Sequence, residues 1–280
     1  MPPVSMYRIP ALLLIILVSG CSTNSDTKSL VITGSSTVAP VMSEIASDFE
    51  NEHPGIRIEI QTGGSSRGVA DVKNGKADFG MISRQLKNSE GELNVFKIAN
   101  DGIGLIVHSS NPVEGLTTAQ IRSAFTGKTK RWSDVGGPDQ ELVVCSKAEG
   151  RGTLEVFLNH FDLKPANIQA SLIVGDNQHS IKTVSGNPAA LAYVSIGAAE
   201  YAIKNGEPIK LIRLDGVMPS TETVRDGSYT MTRPLNLIFQ GDLSPIQMAF
   251  VKSTGNKSSR QLIRSQYFVP VVDESGTQEQ

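Results

Sequence analysis

Leu30-Val31-Ile32-Thr33-Gly34-Ser35-Ser36-Thr37-Val38-Ala39-Pro40 passes from an apolar, β-branched run through a loop of glycine and small hydroxyl residues into a helical pattern. Residues 30–33 read as a strand. Val38, Val41, Met42, Ile45 and Phe49 then recur at helical spacing as far as Glu50. His53-Pro54-Gly55 breaks that helix, and Ile56, Ile58 and Ile60 alternate with charged residues as a half-exposed strand does. Gly63-Gly64-Ser65-Ser66 opens a second helix to about Lys73, and residues 77–82 form a third strand. Strand, helix, strand, helix, strand predicts an α/β fold with a parallel sheet and right-handed crossovers.

Working outward, strands are predicted at 102–108, 142–145, 172–174, 191–194, 209–214 and 235–239. Helices are predicted at 118–125, 153–160, 180–185, 244–251 and 258–267. Two α/β lobes with a cleft between them fit this spacing, the first from 29–105 and 205–280, the second from 106–204. Residues 1–20 read as a signal peptide: Arg8 precedes an apolar run, 9–18, too short to span a bilayer comfortably. It ends in Leu17-Val18-Ser19-Gly20-Cys21, which resembles the bacterial lipobox, where the cysteine becomes the lipid-bearing N-terminus. The alternative is an ordinary secretory signal with a chance cysteine. Residues 21–28 would be a tether, and Ser22 after the cysteine resembles lipoproteins sent to the outer membrane.

Composition excludes several classes. Of 280 residues 19% are charged, with a net charge of −2, so nucleic-acid binding has no electrostatic support. With Cys21 assigned to lipid, Cys145 is left alone in an apolar run and reads as a buried small hydrophobe. The four histidines show no metal-ligand spacing, and no nucleotide cradle or Ser–His–Asp set is identifiable. Neither a cofactor nor catalysis is expected.

Three loops share one design: Gly34-Ser35-Ser36-Thr37, Gly63-Gly64-Ser65-Ser66 and Gly150-Arg151-Gly152-Thr153. In each, glycine and hydroxyl residues lie where a helix starts. Such a terminus exposes unpaired N–H groups and the positive end of the helix dipole, a ready oxyanion cradle. The competing reading of each is plain N-capping by Ser or Thr. Three in one α/β chain, two in the first lobe and one in the second, favour anion binding.

The first of these stretches resembles the opening of phosphate-binding proteins of bacterial ABC phosphate importers, in the periplasmic binding protein family. Gly63-Gly64-Ser65-Ser66-Arg67-Gly68-Val69, Ala77-Asp78-Phe79-Gly80-Met81-Ile82-Ser83-Arg84, Phe125-Thr126-Gly127 with Trp132, Ser146 through Thr153, and Ala192-Tyr193-Val194 follow in the same order. The resemblance spans roughly residues 29–270. It implies two lobes closing on inorganic phosphate, delivery to an ABC permease, and no catalytic activity. Other oxyanions (sulfate, molybdate, a phosphate ester) and a phosphate-sensing role stay open.

Carried over, the first-lobe contacts would be Ser36, Thr37, Ser65, Ser66, Ser83 and Arg84, and the second-lobe contacts Lys147, Gly152 and Thr153. Arg84 stands where many relatives carry an aspartate that accepts the proton of hydrogen phosphate. Lys147 stands where arginine is usual, keeping the charge but not the bidentate geometry. Arg151 replaces a serine and either adds a contact or points to solvent. Rejecting sulfate needs a buried acceptor facing the phosphate proton. Asp101, followed by Gly102 with room for a ligand, is the candidate; its alternative is a turn residue. Asp78 is expected to stay at its strand edge and Glu149 to steady Lys147.

Overall fold

The computed structural model describes residues 28–271; the expected signal peptide, Cys21 and the expected tether up to Thr27 lie outside them. In chain order the elements of the first half are β1 (Lys28–Gly34), α1 (Ala39–Glu52), β2 (Ile56–Thr62), α2 (Ser65–Lys73), β3 (Phe79–Ile82), β4 (Asn94–His108), β5 (Gly115–Leu116), α3 (Thr118–Phe125) and β6 (Val143–Lys147). There follow α4 (Gly152–His160), β7 (Leu172–Val174), α5 (Asn177–Gly186), β8 (Ala190–Ser195), α6 (Ile196–Lys204) and β9 (Ile209–Leu214). The chain ends with α7 (Thr221–Arg225), β10 (Thr232–Phe239), α8 (Pro245–Ser253), α9 (Lys257–Ser265) and β11 (Val269–Pro270).

β1 lies between β2 and β3, parallel to both, with Ile32 opposite Ile60 and Phe79. The sheet is not purely parallel. β10 enters antiparallel between β3 and β4, with Leu237 opposite Met81 and Arg233 opposite Asp101. β4 carries the chain onward: its first part pairs with β10, and Ile103–His108 pair antiparallel with β8 and β9. β4 therefore starts eight residues before the predicted strand, because Val95, Lys97 and Asn100 sit on a partly wet face and hide the period.

Hydrophobic burial divides the molecule. One cluster packs Val41, Met42, Ile45 and Phe49 of α1 against Phe79, Met81, Leu235, Leu237, Phe250 and Phe268. Another runs from Ile103 to Met231 and holds Trp132, Phe157, Tyr193 and Tyr229. The stacked rings of Phe157 and Tyr193, 3.9 Å apart, lie near its centre. The expected return to the first lobe at 205 does not occur. Ile209, Leu211, Ile212 and Leu214 of β9 are buried in the second cluster because β9 pairs with the outgoing half of β4. Gly102 also differs from expectation. A Cβ there would lie 2.4 Å from Ile196 and 2.8 Å from Val224, so its missing side chain admits core atoms rather than a ligand.

Candidate anion site between the lobes

Among the described residues, six α-helices carry a side-chain cap: Thr117 on α3, Asp176 on α5, Ser195 on α6, Ser220 on α7, Ser244 on α8 and Asn256 on α9. The three helices that start in the Gly/Ser/Thr loops, α1, α2 and α4, have none. None of those hydroxyls caps the helix it precedes, although Ser35 Oγ accepts from Thr37 N–H at 3.2 Å in the turn before α1. Their helix termini keep first-turn N–H groups that no side chain caps.

These termini face one another. Ser66 N–H donates to the Gly150 carbonyl at 3.1 Å, and a Cβ on Gly152 would lie 2.5 Å from Ser65 Oγ and 2.8 Å from Ser83 Oγ. Gly64 takes φ +100° and passes so close to Gly150 O that a side chain would collide with it. Asn177 Nδ2 of the second lobe donates to Thr37 Oγ1 at 3.2 Å, and Arg151 Nη1 donates to Ser36 Oγ at 3.4 Å. Ser36, Thr37, Ser65, Ser66, Ser83, Arg151, Gly152 and Thr153 thus come together where the lobes meet, and Arg151 does not simply point to solvent.

At their centre is a residue that the sequence did not single out. Arg233 of β10 is fully buried. Its Nη1 donates to Thr153 Oγ1 at 2.8 Å and to Ser83 Oγ at 3.3 Å, and its Nη2 donates to Thr37 Oγ1 at 3.4 Å. One guanidinium therefore touches a hydroxyl from the α1 loop, the β3 loop and α4. Asp101 holds it there: its Oδ2 accepts from Arg233 Nε at 3.0 Å and Nη2 at 2.8 Å. The ladder aligns the two, since Asp101 and Arg233 are register partners on β4 and β10. Asp101 is not a turn residue, and its carboxylate serves the arginine.

Arg84 is placed otherwise than expected. Its Nη1 and Nη2 take both Glu90 oxygens at 2.8 and 2.6 Å, and its Nε lies 3.0 Å from Glu155 Oε2. Burial pulls its pKa down, but the Glu90 and Glu155 carboxylates outweigh that and hold it above the ordinary arginine value. With one guanidinium edge hydrogen-bonded to Glu90 and Nε at ion-pair distance from Glu155, the group is not aimed at the hydroxyl cluster. The expectation of a direct ligand came from its place after Ser83, which fixes the Cα but not the reach of a long side chain.

Lys147 is buried, and its Nζ donates to the Asp176 carbonyl at 2.6 Å and to Ser180 Oγ. Its backbone N–H donates to Tyr193 Oη at 3.1 Å. Burial drives its pKa down to about 7; the Asp176 carboxylate opposes this, while Arg233 and Arg151 add to it. Glu149 is exposed, so the ammonium is held by the start of α5 and not by that acid. Asp78 does stay at its strand edge, accepting from Val31 N–H at 2.7 Å and from Gln247 at 2.7 Å. Cys145 is buried and its thiol is pushed up to about 11 by desolvation, as suits a packing residue.

The charges fall into two groups. Arg233 is balanced by Asp101, and Arg84 and Lys87 by Glu90 and Glu155. The hydrogen bonds of Lys147 and Arg151 go to neutral oxygens. Among the described residues, no group of three or more His, Cys, Asp and Glu could hold a metal ion, and no helix is long and apolar enough to cross a membrane.

Known proteins share this architecture. Residues 21–252 match the PBP superfamily domain, and the chain belongs to that family. It is similar to the Bacillus subtilis phosphate-binding protein PstS, 25% identical over 251 residues that cover 88% of this chain and 81% of the relative. Among solved structures, a putative phosphate ABC transporter substrate-binding protein with bound phosphate from Clostridium perfringens superposes with a TM-score of 0.81. It is 30% identical, covering 88% of this chain and all of that one. An ABC-type phosphate transport receptor from Vibrio cholerae gives a TM-score of 0.72 at 27% identity over 86% of this chain and all of that one.

Proposed function

We propose that this chain is the extracytoplasmic solute-binding component of a phosphate ABC importer. It would hold one inorganic phosphate between its lobes and hand it to the permease. The observation that carries this reading is the pattern of capping. Among the described residues, the three α-helix termini left without a side-chain cap are the three that meet around Arg233, Thr37, Ser83 and Thr153. Uncapped N–H groups, hydroxyls and a buried guanidinium are what a tetrahedral oxyanion needs, and the neutral partners of Lys147 and Arg151 leave positive charge to match it. The relatives with matching names and the phosphate-bound neighbour support the same ligand. These relatives are binding proteins, and the site is read as one that binds without catalysis.

The proposed ligand set is Ser36, Thr37, Ser65, Ser66, Ser83, Lys147, Arg151, Gly152 and Thr153, with Arg233 added. Asp101 and Arg84 act behind it. The lobes are placed at 28–101 with 232–271, and at 103–231, following the two cores. Calorimetry tests the reading, on the soluble chain after bound phosphate is stripped by partial unfolding. Submillimolar or tighter phosphate binding supports it, and absence of binding refutes it. A broader oxyanion specificity is a second reading. It is favoured because Asp101 is already engaged by Arg233, and the hydroxyls facing the ligand can donate or accept. Sulfate in the same titration decides between them.

Anchoring through lipid on Cys21 completes the proposal. Labelling with a fatty-acid analogue should mark the wild type and not Cys21→Ala; equal labelling would end the anchor. Uptake of phosphate by a deletion strain separates transport from sensing.

A further inference from the structure

The fate of Arg84 points to a function for a residue outside the ligand set. Glu155 lies in the first turn of α4, two positions after Thr153. Its Oε1 accepts from Ser66 Oγ at 3.2 Å, and its Oε2 meets Arg84 Nε at 3.0 Å and Lys87 Nζ. Ser66, Arg84 and Lys87 all belong to the first lobe, whereas α4 belongs to the second. On the other side of the same turn, Gly150 O accepts from Ser66 N–H at 3.1 Å. Gly150 and Glu155 bracket Gly152 and Thr153, and both are tied to Ser66.

The charge count gives this arrangement a direction. Arg84 and Lys87 carry two positive charges and Glu90 one negative, so the first-lobe members alone are left with one uncompensated cation. Glu155 supplies the missing carboxylate only when the lobes are together. Arg84 and Glu155 are 3% and 15% exposed, so their pair works at a lower effective dielectric than a surface bridge.

We infer that Glu155 is a positioning residue for the bound anion: with Arg84 and Lys87 it forms an interlobe ionic latch that holds the α4 terminus closed over the ligand. It adds no contact to the anion. It raises the population of the closed state that the anion needs, and so acts mainly on release. This inference rests on the phosphate reading above.

The test is a chase of radiolabelled phosphate from the full soluble chain with excess unlabelled phosphate, alongside calorimetry. Glu155→Gln should speed release by about tenfold or more and change the association rate by no more than about twofold. Arg84→Lys keeps the charge near Glu90 but removes the Nε that faces Glu155; it should speed release too. The double variant should add little to either single change, because both break one interaction. Normal release from both single variants, or full additivity, would overturn the latch. If Glu155→Gln fails to fold by circular dichroism, Arg84→Lys and Lys87→Gln carry the test, each expected to shorten retention. A wild type that retains no phosphate would instead refute the phosphate reading.

Discussion

Replacing Asp101 by Asn removes the counter-ion of a fully buried arginine and leaves its shape. The Asp101 side chain is 1% exposed and that of Arg233 is 0% exposed, so solvent cannot take over either role. Breaking a buried pair by removing one partner costs about 3–5 kcal/mol, because the remaining charge is desolvated and unmatched. Asn retains one acceptor oxygen, and Thr153, Ser83 and Thr37 still accept from the guanidinium, which places the expected loss near the lower end, about 3 kcal/mol. A bound dianion beside Arg233 would substitute for the lost carboxylate. The deficit should therefore shrink markedly, to about half, in saturating phosphate. Urea unfolding of phosphate-stripped wild type and Asp101→Asn, with and without saturating phosphate, measures this. A deficit below about 1 kcal/mol would mean that Arg233 does not depend on Asp101. An equal deficit with and without phosphate would mean that the ligand does not meet Arg233.

Other changes give further outcomes. Thr153→Val and Thr37→Val keep volume but remove a hydroxyl from each lobe, and each should weaken phosphate binding by about 1–3 kcal/mol in calorimetry. Burial pushes the Lys147 ammonium down to about 7, and a neighbouring anion raises that value. Binding should therefore take up protons, and affinity should fall as pH rises past 7. Lys147→Arg, titrated alongside to cancel the ionisation of phosphate itself, should flatten that fall. In the absence of ligand the sign is opposite. Between about 7 and 10.5 the unfolded chain holds more protons on this group, so its contribution to stability grows as pH rises and is lost below 7. Cys145 should resist a thiol reagent until denaturant is added, because its thiol is buried and held up to about 11.

Much of this was legible because it is local. β1, α2, α3, α4 and β7 fall within a residue or two of their predicted places, and the three hydroxyl loops meet as their shared design suggests. α6 was not legible: Ile196-Gly197-Ala198-Ala199 shows little polar contrast and follows a strand without a break. Arg233 was invisible for a different reason. It precedes a proline in what reads as a loop, and its partner Asp101 is 132 positions away. Only the antiparallel register of β4 and β10 brings them together. Arg84 shows the reverse error. Motif order located its backbone correctly, but Glu90 and Glu155, on elements the motif does not contain, decide where its charge goes.

The insertion of β10 between β3 and β4 also governs how the chain can be assembled. Ser83 and Arg233 are 150 positions apart, so the first-lobe sheet lacks its middle strand until the chain has emerged as far as Phe239. The second core, contiguous from Ile103 to Met231, can condense before that. During the interval β3, whose four residues are all buried in the finished fold, presents an apolar unpaired edge. Closing so long a loop is slow compared with local helix formation, and open edges of this kind invite association between chains. A chain that emerges N-terminus first therefore has the residues of its second core in hand while β10, and Arg233 with it, is still to come. Its yield depends on how well that edge is shielded until β10 arrives.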